Sequence, residues 1–159
     1  GERVSCRVDE ERRTLHSRIH SAGHLVDFAV AELGLPWTPG KGYHFPQGPY
    51  VEYAGTLGDT DKEKLKADME RFCAQLIAEN LAIKVMFPTE DEVKKVFARN
   101  PAAIVPEGKM PRVVMFGDFG VPCGGTHVRS LGEISGIKIR KIKQEKDKIR
   151  VGYDVSGVS

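Results

Sequence analysis

Two short stretches of this 159-residue chain carry side chains that can grip a metal ion. The first reads His16-Ser-Arg-Ile-His20-Ser-Ala-Gly-His24, and the second Pro122-Cys123-Gly124-Gly125-Thr126-His127. On a helix, residues four apart lie on one face, one turn above the other, so the rings of His20 and His24 can converge. Cys123 and His127 have the same spacing, but the glycines between them allow a tight bend. Either half alone says little: a His pair can flank a core helix, and a cysteine can be a small buried hydrophobe. Together, His20, His24, Cys123 and His127 make a mixed nitrogen–sulfur donor set suited to tetrahedral zinc, whereas calcium and magnesium prefer oxygen. His16 continues the same face, but three stacked histidines span about 12 Å, too long for one ion. His16 is therefore expected beside the site or in solvent. His44 has no assignable partner. Position 21 is serine, so the HExxH arrangement of metalloproteases, with its general base beside the first ligand, is absent.

Zinc in such a set could polarise a carbonyl, lower the pKa of a bound water to about 7, or orient a substrate through its amino group. The sequence leaves these roles open. Thr126 stands between two of the donors. Thr38 and Gln47 lie in the loop after the first helix, where polar side chains could face them. Ordinary turn chemistry is the competing account for all three.

The elements that must position these groups follow from periodicity and punctuation. From Glu10 to Leu33 there is no proline, and Leu15, Ile19, Ala22, Val26, Ala29, Val30 and Leu33 fall at helical spacing, closed by Gly34 and Pro36. A second long helix is predicted over Asp61–Asn80, with Thr60 and Glu63 as a capping box. The Thr89/Glu92 pair opens a short helix to about Arg99. Strands are predicted at Arg3–Val8, Tyr43–Phe45, Tyr50–Tyr53, Leu81–Phe87 and Arg112–Phe116, with a glycine-rich turn through Gly125. Glu133–Lys143 and Lys148–Val155 read as a final hairpin. This order predicts a single α+β domain over residues 1–159, with a mostly antiparallel sheet packed against two long helices.

Composition agrees with a globular domain: 40% hydrophobic, 29% charged and no low-complexity tract. No apolar run approaches the ~20 residues of a membrane helix, and no secretory leader opens the chain, which starts at Gly1 and so reads as trimmed. Three widely separated cysteines argue against a disulfide framework and for a reducing, cytoplasmic setting. The net charge is only +2, yet residues 138–150 hold seven basic side chains and two acidic ones. Lys138, Arg140, Lys141, Lys143, Lys146, Lys148 and Arg150, with Lys41 near the first loop, form the candidate phosphate-contacting surface. A solvated hairpin with lysine-protected edges is the alternative.

His20-Ser-Ala-Gly-His24-Leu with Cys123-Gly-Gly-Thr-His127-Val far downstream closely resembles the editing domain of alanyl-tRNA synthetases. The resemblance is closer still to the free-standing AlaX-type trans-editing proteins. It runs over nearly the whole chain and includes Val8-Asp9, Arg12-Arg13, Tyr50-Val-Glu-Tyr53, Ile83-Lys-Val-Met86, Gly117-Asp118 and Gly132-Glu133-Ile134. It implies a two-layer editing fold that holds Zn2+ through His20, His24, Cys123 and His127. The implied activity is hydrolysis of mischarged Ser-tRNA(Ala), and of Gly-tRNA(Ala) as a further candidate, in the cytoplasm. Residues 1–8 would be the remnant of a small N-terminal β-barrel carried by larger relatives. With no activation domain, the chain would correct in trans, with tRNA(Ala) as partner and no membrane or obligate protein partner. Threonyl-tRNA synthetase editing domains share the general pattern, but the full donor set favours the alanine branch. Two other readings stand beside this one. One is a structural-zinc RNA-binding accessory module. The other is a different cytosolic zinc enzyme such as S-ribosylhomocysteine lyase, which also joins a helical His pair to a distant Cys.

Overall fold

A computed structural model describes residues 1–105 and 111–157. Its first helix, α1 (Glu10–Glu32), starts where the Asp9 side chain accepts the Arg12 N–H. It ends at Leu33, followed by Gly34 in the left-handed region. Ile19, Ala22, Leu25, Val26 and Ala29 are its buried face. The second long helix, α2 (Lys62–Glu79), is capped by Asp61, which accepts from the backbone of Glu63 and Lys64. Thr60, the expected cap, instead donates its hydroxyl to Leu57 O. A third, shorter helix, α3 (Glu90–Val96), keeps the capping box of Thr89 and Glu92 but stops three residues before the expected end.

The α+β expectation holds, with the strands divided between two sheets. β1 (Thr38–Tyr43) and β2 (Tyr50–Ala54) join a late hairpin, β6 (Ile137–Glu145) and β7 (Lys148–Val155), in a four-stranded antiparallel sheet of order β1-β2-β7-β6. β3 (Ile83–Met86), β4 (Val113–Phe116) and β5 (Phe119–Pro122) form a three-stranded antiparallel meander. The helices cover one face of the larger sheet: α1 packs on β2 and β7, and α2 on β6. Tyr53, Val151, Tyr153, Ile139 and Ile149 point into that core and are 4% exposed or less. Period-two alternation then leaves Tyr50, Glu52, Lys148 and Arg150 on the opposite face.

Four expectations need correction. The strand expected from Glu133 begins at Ile137, because Leu131–Ile134 is a short 3-10 helix. Arg3–Val8 is no strand: Val4 is 81% exposed, and the segment pairs with nothing among the described residues. β1 begins at Thr38, five residues before the expected strand, because pairing with β2 holds even Pro39, Gly40 and Gly42 extended. The glycine-rich turn before Cys123 contains a strand, β5, held by β4.

Candidate metal centre

α1 carries His20 and His24 one turn apart. One turn further on, Phe28 stacks on Phe119 of β5 at 4.4 Å with the rings nearly parallel. β5 runs directly into Cys123, so this aromatic contact delivers the second half of the site to the first. The loop is then pinned to the same helix. Ser21 Oγ accepts the Val128 N–H at 3.1 Å, and Ser17 Oγ bonds Thr126 Oγ1 at 3.3 Å. Arg112 donates to the carbonyls of Cys123 and Gly125 at 2.6 and 3.2 Å. A Cβ on Gly125 would stand 2.2 Å from His20 Cε1, so only glycine permits this approach.

The result is a tight cluster. Cys123 Sγ lies 3.5 Å from His20 Nε2, and one donor atom from each of His20, His24, Cys123 and His127 lies within 4.8 Å of the others. Donors around tetrahedral zinc are about 3.5 Å apart, so a contraction of about 1 Å closes the shell. His24 Nε2 and both ring nitrogens of His127 are buried without a hydrogen-bond partner among the described residues. Buried polar atoms are normally paired, and a cation at the centre is the group this donor set lacks. The residues present fit a metal ion.

His24 is held from behind. Its Nδ1 faces Asp27 Oδ2 at 3.2 Å, and Tyr53 donates its hydroxyl to Asp27 Oδ1 at 2.7 Å. With Nδ1–H donated to Asp27, Nε2 is the nitrogen turned toward the cluster. Burial works against a charge on His24, but Asp27 and Cys123 outweigh it and raise its pKa to about 9. Burial also acts to raise the Cys123 thiol, and the neighbouring rings of His20 and His24 overcome it, bringing it down to about 5. Burial lowers His20. Burial, then the charge of His24, brings His127 to about 4. At neutral pH the metal-free cluster thus pairs the Cys123 thiolate with a protonated His24 beside a neutral His127, and a metal entering it would displace the His24 proton.

Sequence reasoning missed His44 and Asp27. Asp27 stands three residues after His24, a spacing that could have found it. His44 stacks over His20 at 4.8 Å, and its Nδ1 lies 2.8 Å from the Tyr153 hydroxyl. That hydroxyl donates its one proton to Ile19 O at 2.9 Å, so His44 must donate from Nδ1 and keep Nε2 as an acceptor. Burial, then the charge of His24, lowers His44 to about 4, so the ring is neutral. His24, Asp27 and His44 line a cavity of about 200 Å³ with Gly40, Gly42 and the buried Asn100.

Thr38 and Gln47 do not line this cavity. Thr38 is exposed at the far end of β1 opposite Ala54, and Gln47 is exposed in the bend between β1 and β2. Thr126 is exposed beside the cluster, and Lys41 is exposed in β1 between the two glycines of the cavity wall. His16 sits edge-on to Phe45 at 5.5 Å, outside the cluster. On the hairpin, Lys138, Arg140, Lys141, Lys143, Lys146, Lys148 and Arg150 are all exposed. Arg140 pairs with Asp154, Lys143 with Glu145, and Lys148 and Arg150 both reach Glu52 at 3.1 Å. Among the described residues no ion pair engages Lys138, Lys141 or Lys146.

Residues 112–151, which take in Cys123, Thr126, His127 and most of the basic hairpin, match the family described as the threonyl and alanyl tRNA synthetase second additional domain. Over 92% of its length the chain is 35% identical to an alanine–tRNA ligase of Methanocorpusculum labreanum. The chain is homologous to alanyl-tRNA synthetases. Similar ligases of Mycoplasma capricolum and Archaeoglobus fulgidus are 32% and 31% identical over 89% and 92% of the chain. The chain spans 16% of the length of each of these three relatives. The resemblance read from the paired motifs is borne out at the level of the family. No helix is long and apolar enough to cross a membrane among the described residues.

Proposed function

We propose that this chain hydrolyses the ester joining a wrong amino acid, serine above all, to tRNA(Ala), acting in trans as a single editing domain in the cytoplasm. His20, His24, Cys123 and His127 would hold zinc, which supplies electrophilic assistance to ester hydrolysis when bound. The observation that carries this reading is the donor cluster itself, with buried imidazole nitrogens that have no other partner. The adjoining cavity favours a working site over a purely structural one, since a closed structural site needs no room beside it.

The chain's own groups divide the remaining work. Asp27 fixes the His24 ring, and Arg112 holds the Cys123 loop against α1. His44 Nε2 is the acceptor for the hydroxyl of serine, or of the attacking water. Alanine would leave that acceptor unpaired, and a site built around such a hydrogen bond discriminates strongly. The small cavity suits serine or glycine. The exposed lysines and arginines of β6 and β7 would meet tRNA phosphates.

Purified protein incubated with Ser-tRNA(Ala), Ala-tRNA(Ala) and a ribosyl thioether tests the reading. Serine should be released much faster than alanine, and chelation should stop the release until zinc is restored. Full activity after metal stripping would remove zinc from the reaction. Consumption of the thioether would favour the lyase, and consumption of nothing the structural-zinc module.

A further inference from the structure

A run of aromatic rings starts on the cation-rich face of the larger sheet and continues past the end of β1 to α1. Arg150 lies over the Tyr50 ring at 4.3 Å, and Tyr50 stacks on Tyr43 at 5.6 Å with the planes 14° apart. Tyr43 meets Phe45 at 5.1 Å, and Phe45 meets His16 at 5.5 Å. The helices lie on the other face, the run reaches α1 only at His16, and none of its rings is buried. Phe45 is 49% exposed, so its ring face is open to a ligand. Each end of the run opens into a surface concavity with cations on its wall. Arg12 and Arg13 flank Phe45 and His16, beside Asp9. Arg140, Lys141, Lys143 and Arg150 surround Tyr50, with Glu145 as the one acid and side-chain-free Gly152 among the lining residues.

We infer that this run is a stacking track for the unpaired nucleotides at the 3′ end of an RNA. Aromatic faces interleaved with guanidinium and ammonium groups on an open sheet suit single strands, whose bases stack while their phosphates meet the cations. A protein partner would call for a continuous apolar patch, and here cations interrupt the rings at both ends. The placement fits the ester chemistry. Phe45 directly follows His44 of the cavity, and His16 stands one helical turn before His20, so the track ends beside the cluster. The inference rests on the proposed tRNA-ester activity for its biological sense, but its physical test is separate.

A fluorescein-labelled single-stranded RNA hexamer and a blunt RNA duplex of equal length are titrated against the full chain by anisotropy. Phe45→Leu, which keeps apolar volume and loses the ring, should weaken hexamer binding about tenfold, the scale of one lost base–aromatic stack. Phe45→Trp should restore it, and neither change should alter duplex binding. Hydrolysis of a serine ester of a mononucleoside is measured alongside. If Phe45→Leu binds the hexamer as the parent does, or the parent binds none, the track is overturned whatever the ester assay gives. If the ester is untouched while Phe45→Leu loses hexamer affinity and Phe45→Trp regains it, the track stands and the hydrolase reading falls.

Discussion

Asp27 accepts the Nδ1 proton of His24 at 3.2 Å while its second oxygen takes the hydroxyl of Tyr53. This pairing settles which nitrogen of His24 faces the cluster and stops the ring from turning away. Carboxylates behind metal-bound histidines typically contribute 10–100-fold in metal affinity. Asp27→Asn should therefore weaken zinc binding by about that factor, read by competition with a chromophoric chelator. Tyr53→Phe should produce a smaller loss, because it leaves the carboxylate in place.

Gly124 and Gly125 are adjacent and should behave oppositely. A methyl at Gly125 would collide with the His20 ring, whereas nothing lies within 4 Å of the corresponding position at Gly124. Gly125→Ala should abolish stoichiometric zinc binding. Gly124→Ala should leave metal content and deacylation unchanged within about twofold. Metal analysis of both purified variants decides it.

Two of the three cysteines, Cys73 and Cys123, should separate by pH. Cys73 is fully buried, and burial pushes its thiol up to about 12, so it stays protonated and silent toward iodoacetamide through pH 10. Cys123, brought down to about 5, is ionised at neutral pH in the metal-free protein. Its alkylation should rise as pH climbs through about 5 and level off above, with zinc protecting it at pH 6 and 8. Peptide mapping after labelling at pH 4, 6 and 8 makes the comparison.

His44→Ala removes the proposed acceptor without touching a donor to the metal. Zinc stoichiometry should stay at about one per chain while serine release falls at least about tenfold. Tyr153→Phe should cost about 1–3 kcal/mol of stability, because the Ile19 carbonyl and the His44 Nδ1–H both lose a buried partner. A thermal melt and a deacylation time course distinguish the two effects.

The long helices were readable because their apolar faces repeat over many turns, so a single ambiguous residue changes little. Ends were less readable. Thr60 and Asp61 can both cap, and only the packed structure shows that Asp61 does. β5 escaped notice because Phe-Gly-Val-Pro reads as a turn until β4 is there to pair with it. At the centre, the four donors were legible since their types and local spacings restrict them so strongly. Proximity along the chain misled at Thr38 and Gln47: both follow the ligand helix closely, yet neither reaches the cavity. The role of His44 depends on Tyr153, 109 residues away, a relationship that spacing cannot carry.

The donors come from opposite halves of the chain, two on α1 and two on the loop leaving β5, more than 95 residues apart. An ion held there is a removable rivet between the meander and the helix beneath the larger sheet. Occupancy at 100 times the dissociation constant adds about 2.7 kcal/mol to the folded state, worth about 5–10 °C for a domain of this size. Free zinc in its surroundings would then set how much heat this fold withstands.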